Sequence, residues 1–259
     1  MGILNVTPDS FSDGGRAGTL DAALSAADRL VAEGADLIDV GGESSRPGAE
    51  PVPESEELAR VVPVVEALAG RISIPISVDT TKPEIARRAL AAGAAVINDI
   101  RGLADPDLAA IVAESGAGVV LMHMRGTPGT MQDDPRFEDV VREVRDELAR
   151  MIEAAESRGI PRSRIAIDPG IGFGKTFDQN LALLRDLEAF GVLGCVVLVG
   201  TSRKGFLGKL TGRPVEARAF ASVASALGSV AGGASVVRVH DVGPTVDALR
   251  VWEALRPRR

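Results

Sequence analysis

Eight short apolar runs in this chain each finish on side chains that carry charge or bond strongly. Asn5 closes the first, and Asp39 closes the second just ahead of Gly42-Glu43-Ser44-Ser45-Arg46-Pro47. The third ends on Asp79-Thr80, the fourth on Asn98-Asp99, the fifth on His123 and the sixth on Asp168-Pro169-Gly170. The seventh leads into Ser202-Arg203-Lys204, and the eighth ends on Arg238-Val239-His240-Asp241. A single charge at a strand end can simply meet solvent. Polar ends on all eight argue for one shared site. Residues i and i+2 of an extended segment share a face, so Arg238 and His240 point one way, as do Ser77 and Asp79. An inward Arg beside a His suits an anion. The alternative is an Arg paired to a nearby acid, Asp241 or Asp39.

Asp79, Asn98 and Asp168 make a second constellation. A buried, unpaired carboxylate is costly, and a flat heterocycle with parallel N–H donors would satisfy it, since a carboxylate accepts two such bonds. An amide beside it both donates and accepts, which suits a lactam edge. Together these residues suit the reading of an aminopyrimidinone. The competing reading is a pair of structural acids bonded to backbone N–H groups. The stretch Asp168–Thr176 is not a P-loop, because Pro169 stands where the pattern needs its first Gly. Its glycines instead shape a tight loop that brings Phe173 and the backbone close to a ligand. Cys195 lies in an apolar run and reads as core, and His123 reads as a packing or supporting residue.

The elements that must hold these residues alternate regularly. The apolar runs Gly2–Val6, Asp36–Val40, Pro75–Asp79, Ala95–Ile100, Gly118–Met122, Arg164–Asp168, Val196–Gly200 and Ser235–His240 read as buried parallel strands. Between them lie amphipathic, helix-length segments: Leu20–Glu33, Pro53–Ala69, Pro83–Ala92, Asp105–Ser115, Glu138–Arg158, Asp178–Phe190, Val215–Gly228 and Pro244–Leu255. Pro83 and Pro106 suit first helical turns, and Gly34, Gly93, Gly116, Gly159 and Gly191 suit stops. Eight such units in 259 residues match a single α/β (β/α)8 TIM barrel domain over 1–259. An open doubly wound sheet would favour a G-x-G-x-x-G after its first strand, where Asn5-Val6-Thr7-Pro8-Asp9-Ser10 stands instead. The connections 6–19, 41–52 and 124–137 are long for this fold, and long connections often serve as lids or binding loops.

Composition limits what such a site can serve. The formal net charge of -7 disfavours nucleic acid, which needs a basic face. One cysteine and two histidines exclude an internal disulfide and a Cys/His zinc cage. Met1–Ser10 does not have the make-up of a signal peptide, and no apolar run is long enough to span a bilayer. A cytoplasmic location is the expectation.

Met1–Gly15 resembles the opening signature of the dihydropteroate synthases, and Gly42-Glu43-Ser44-Ser45-Arg46-Pro47-Gly48-Ala49 is similar to their second. Ser77-Val78-Asp79-Thr80, Ile97-Asn98-Asp99, Asp168-Pro169-Gly170, Ser202-Arg203-Lys204 and Arg238-Val239-His240-Asp241 match the remainder in order. The resemblance spans essentially the whole chain. It implies an enzyme of the folate pathway on a (β/α)8 barrel, joining p-aminobenzoate to a dihydropterin hydroxymethyl diphosphate with Mg²⁺ and releasing pyrophosphate. It also implies a homodimer. By resemblance, Asp79, Asn98, Asp168 and Lys204 hold the pterin, with Met122 and Phe173 lining its pocket. Asn5, Arg238 and His240 hold the diphosphate, with Asn5 also a Mg²⁺ ligand, and with Lys204 these form the catalytic group. Ser45, Arg46 and Pro47, with Ser202 and Lys204, meet the aminobenzoate, while Phe11 and Asp13 belong to a mobile first loop. Ser45 stands where the family often has Thr, and Phe137 where an aromatic hydroxyl is common. Two other functions share features with this one. A methyltetrahydrofolate–corrinoid methyltransferase barrel shares the pterin pocket, but is not expected to carry the Ser-Arg-Lys and Arg-Val-His-Asp motifs. A catalytically silent homologue would be marked by lost site residues, and none is lost.

Overall fold

Alternating apolar residues with their Cβ atoms on opposite faces make each strand a two-sided wall. In the computed structural model, which describes residues 1–7, 15–44 and 48–255 apart from the side chains of 15–19, eight such strands lie in parallel and in chain order. They are β1 (Gly2–Asn5), β2 (Ile38–Gly41), β3 (Ile76–Asp79), β4 (Val96–Asp99), β5 (Gly118–Met122), β6 (Ile165–Asp168), β7 (Val196–Val199) and β8 (Val236–Val237). Val239 closes the ring onto β1: Ile3 N donates to Val239 O at 3.0 Å, and Val239 N donates to Met1 O at 2.9 Å. Closure leaves no sheet edge unpaired, and the (β/α)8 barrel expected from the sequence is what forms.

The described helices are α1 (Gly15–Ala32), α2 (Glu54–Ala69), α3 (Pro83–Ala91), α4 (Pro106–Ser115), α5 (Val140–Ser157), α6 (Phe177–Arg185), α7 (Glu188–Gly191), α8 (Gly205–Thr211), α9 (Ala219–Ala231) and α10 (Val242–Leu255). Their ends follow local chemistry. Asp105 accepts from Asp107 N at 2.9 Å at the start of α4, and Thr176 forms a reciprocal cap with Gln179 on α6. Two expected helices divide. The segment 178–190 breaks at Asp186, giving α6 and α7. The segment 215–228 begins instead as a 3₁₀ turn at Val215–Ala217, with α9 starting at Ala219. Gly191 ends up inside α7, and Gly194 takes the left-handed turn there (φ 69°).

Outward strand residues such as Ile38, Val40, Val78, Ile97 and Leu121 pack against the helices in one large core. Inward residues divide by height. Met1, Val120 and Leu198, with Leu37, Val96, Ala166 and Val236 against them, fill the lower interior. Above that apolar plug the inward positions turn polar, at the carboxyl ends of the strands, where barrels of this kind keep their sites.

Candidate active site

The strand register builds the rim one residue at a time. Asn5 is paired with Gly41, Gly41 with Asp79, and Asp79 with Asn98, so β1 to β4 contribute one continuous layer. Met122 and Asp168 are likewise partners across β5 and β6. Gly41 puts no side chain between Asn5 and Asp79 in this layer: a Cβ there would lie 3.8 Å from Asn5 Oδ1 and 3.9 Å from Asp79 Oδ2. Above this layer opens a cavity of about 920 Å³. Of the residues singled out in the sequence, Asn5, Asp79, Asn98, Met122 and Asp168 line it from the first six strands. Phe173, Ser202, Lys204, Arg238 and His240 line it from the later connections and β8. Ser45, Arg46, Pro47, Phe11 and Asp13 lie outside the described residues.

Arg238 is held on two sides. Its Nε donates to Asp39 Oδ2 at 2.6 Å and one Nη donates to Asp79 Oδ2 at 2.8 Å. Burial works against the guanidinium charge, but Asp39 and Asp79 more than offset it and raise its pKa. Of the two acids considered for Arg238 from sequence, Asp39 takes it. Asp241 is bonded instead by Arg203, at 3.1 and 2.6 Å. Asp79 is also an acid under strain. Burial, against the pull of Arg238, raises its pKa to about 7.

Asp168 and Lys204 face each other across the opposite wall. Burial raises the Asp168 pKa, with Lys204 opposing it, and burial lowers that of Lys204 to about 8, with Asp168 opposing. Asp168 Oδ1 accepts from Gly170 N at 2.7 Å, so the backbone-bonded acid anticipated as an alternative exists, though it still lines the cavity. Lys204 Nζ donates to Ile171 O and sits 4.6 Å from the Phe173 ring centre. The loop between is held close by Gly170 (φ 69°): a Cβ there would meet His123 O at 1.9 Å, a contact only glycine avoids. His240 Nδ1 lies 3.0 Å from Ser202 Oγ, and His240 N donates to the same oxygen at 3.2 Å.

Three groups escaped the sequence reading. The first is Asp39, expected as a strand end and as one alternative partner of Arg238 but not as a contact of Asn98; an acid inside an apolar strand was the available signal. The second supports the Phe173 loop. Lys175 Nζ donates to Phe173 O at 2.9 Å and lies 3.0 Å from His123 Nδ1. His123 Nε2 in turn lies 2.9 Å from Glu147 Oε2. Burial lowers the Lys175 pKa to about 7 and that of His123 as well, and His123 is the supporting residue expected. The third clamps the base of the loop after β2. Lys82 Nζ donates to Glu43 Oε2 and to Glu57 Oε2, each at 2.5 Å, and to Val52 O at 2.6 Å. Thr80 Oγ1 donates to Glu57 Oε1 at 2.8 Å. Glu57 falls on the buried stripe of α2 with Val61, Val64 and Leu68, and an acid at that spacing was the clue.

In chemical terms, one mouth offers flat acceptors and an amide on one side, and an Arg–His pair on the other. The family model described as pterin binding enzyme matches residues 1–240. The chain is 48% identical over 254 residues to a dihydropteroate synthase of Escherichia coli (strain K12), covering 98% of this chain and 90% of that one. A Xanthomonas albilineans dihydropteroate synthase with 4-aminobenzoic acid matches with a TM-score of 0.94 at 52% identity, over 99% of this chain and 93% of that one. A Burkholderia cenocepacia dihydropteroate synthase complexed with 7,8-dihydropteroate matches with a TM-score of 0.89 at 49% identity, over 99% and 90%. Taken with the polar mouth of the barrel, these likenesses place the chain in the dihydropteroate synthase family of pterin-binding enzymes.

Proposed function

We propose that this chain, as one barrel domain, condenses p-aminobenzoate with 6-hydroxymethyl-7,8-dihydropterin diphosphate to give 7,8-dihydropteroate and pyrophosphate. The observation that carries the reading is the single cavity that gathers Asp79, Asn98 and Asp168 with Arg238 and His240. Relatives of matching length supply the second support, since their structures hold 4-aminobenzoic acid and 7,8-dihydropteroate. Nothing in this likeness favours the corrinoid-dependent methyltransferase or a silent homologue.

In this reading Asp79, Asn98, Asp168 and Lys204 hold the pterin ring, and Met122 and Phe173 cover it. Arg238, His240 and Asn5 meet the diphosphate. Ser202 and Lys204, with Ser45, Arg46 and Pro47, meet the aminobenzoate, and the loop with Phe11 and Asp13 closes over them. The arylamine is neutral and attacks without a strong base. The methylene C–O bond to the diphosphate breaks, a C–N bond forms, and the amine gives up one proton. The demanding task is to steady the departing charge, which a cation such as Arg238 and a well-placed donor such as His240 do best in the transition state. This favours a dissociative displacement with loops excluding water.

The residues present fit Mg²⁺. Asn5 presents an amide side chain to the cavity, and Mg²⁺ favours a few protein oxygens completed by phosphates and water. Among the described residues no set of three His, Cys, Asp or Glu gathers into a cage, so Asn5 would hold the ion with substrate oxygens. When bound it supplies charge neutralisation to the diphosphate. The homodimer belongs to the same reading. It rests on the family resemblance alone. A cytoplasmic location fits the lone Cys195, and no described helix is long and apolar enough to cross a membrane.

Two variants separate the halves of the site. Asp168→Asn weakens dihydropterin binding by about tenfold or more, measured by calorimetry. His240→Ala lowers turnover by about tenfold or more with a smaller effect on that affinity. Unchanged affinity in the first, or unchanged turnover in the second, contradicts the assignment. Arg238→Ala is a weaker probe, because it strands Asp39 and Asp79 without their cation.

A further inference from the structure

Asp39 lies on β2, one inward step below the rim, and is completely buried. Its Oδ2 accepts from two groups at once, Arg238 Nε at 2.6 Å and Asn98 Nδ2 at 3.1 Å. Its Oδ1 has no hydrogen-bond partner among the described residues. One carboxylate oxygen therefore joins the residue of the anion side to the residue of the ring side, across three strands of the barrel.

The consequence lies in the polarity of Asn98. An amide offers an oxygen that accepts and a nitrogen that donates, and its neighbours decide which faces where. A carboxylate paired with a guanidinium only accepts. One Asn98 N–H is thus committed to Asp39, which fixes the flip of the amide and leaves its oxygen and its second N–H for the cavity that Asn98 lines. Asn98 then presents its acceptor and its remaining donor to the ligand in one fixed order, where a flipped amide would exchange them. The same contact fixes the Arg238 guanidinium plane from its Nε side, while Asp79 fixes it from an Nη.

We infer that Asp39 is a positioning residue that sets the hydrogen-bond polarity of Asn98 and the orientation of Arg238, and so couples ring recognition to diphosphate binding. The inference rests on the pterin reading of the cavity. It makes the chain selective for a ring edge whose donor and acceptor match the one order that Asn98 presents.

The test uses the full-length protein and 6-hydroxymethyl-7,8-dihydropterin, the unreactive alcohol, with calorimetric affinity, steady-state turnover and thermal midpoint all recorded. Asp39→Ala removes the shared acceptor. It is expected to weaken ring binding by about tenfold or more, the scale of one unsatisfied polar contact. Asp39→Asn can still place one oxygen against both donors and its NH₂ at the unpartnered position. It is expected to restore ring affinity to within a few-fold, while turnover stays low because the charge facing Arg238 is gone. Ser77→Ala, in the same inward layer and paired in register with Asp39, is expected to leave both unchanged. Combining Asp39→Ala with Asn98→Ala should cost no more ring affinity than Asn98→Ala alone, as expected for residues acting through one contact. Should Asp39→Ala fail to fold, the comparison runs on Asp39→Ser. Wild-type ring affinity in the variant that lacks the acceptor overturns the inference. So does full additivity with Asn98→Ala, or an Asp39→Asn protein no better than Asp39→Ala. A wild-type protein that takes up no dihydropterin overturns the functional reading instead.

Discussion

Asp79 shows how a single residue is tuned by where it stands. Desolvation raises its pKa to about 7 against the opposing charge of Arg238. The folded state therefore keeps a proton that the unfolded chain loses near its ordinary value of 3.8. A group raised in this way contributes stability that is full below the unfolded pKa and is lost as pH rises through the folded one. Stability of the ligand-free protein should fall between about pH 4 and pH 7, with Asp79 among its causes. Asp79→Asn should flatten that slope in thermal midpoints measured from pH 5 to pH 8. A variant whose slope equals that of wild type contradicts the assignment. Lys175 and Lys204 act on the other side of neutrality. Burial lowers their pKa values to about 7 and about 8, so both contribute stability that grows as pH rises toward their unfolded values. A mouth built of such groups is costly when empty, and an anionic and donor-rich ligand relieves it.

At the scale of elements, the loop after β2 matters most, because the aminobenzoate contacts of this reading lie on it. Lys82 joins Glu43 before the loop to Val52 after it, and anchors both to Glu57 on α2. Glu57 is 1% exposed, so removal of its cation leaves a buried charge. Lys82→Met should destabilise the protein by about 3 kcal/mol, read from urea denaturation, and adding Glu57→Gln should recover much of that. A loss below about 1 kcal/mol, the range of an exposed pair, contradicts the clamp. Elements of this kind were only partly legible beforehand. Strands declared themselves through apolar runs with polar ends, and so did the rim residues Asp79, Asn98, Asp168, Arg238 and His240. The divided helices did not, since the break at Asp186 and the turn after Pro214 carry no long-range periodicity. The Lys82–Glu57 and Lys175–His123 pairs were invisible for another reason. Partners 25 and 52 residues apart meet only once the barrel has closed.

The whole molecule carries a formal charge of -7, yet its proposed substrates are anionic. Recognition must then come from the few cations set around the mouth, Arg238 and Lys204 above all, and not from a general surface field. The barrel gives those cations a fixed place by closing β8 onto β1, and gives the ring pocket a rigid floor by filling the lower interior with apolar side chains. The central claim is that one cavity takes both substrates and joins them. The most direct measurement supplies dihydropterin diphosphate, p-aminobenzoate and Mg²⁺ to the folded protein and follows pyrophosphate and dihydropteroate together. The two products should appear in equal amounts and only when both substrates are present. Folded protein that binds the pterin but forms no dihydropteroate contradicts it.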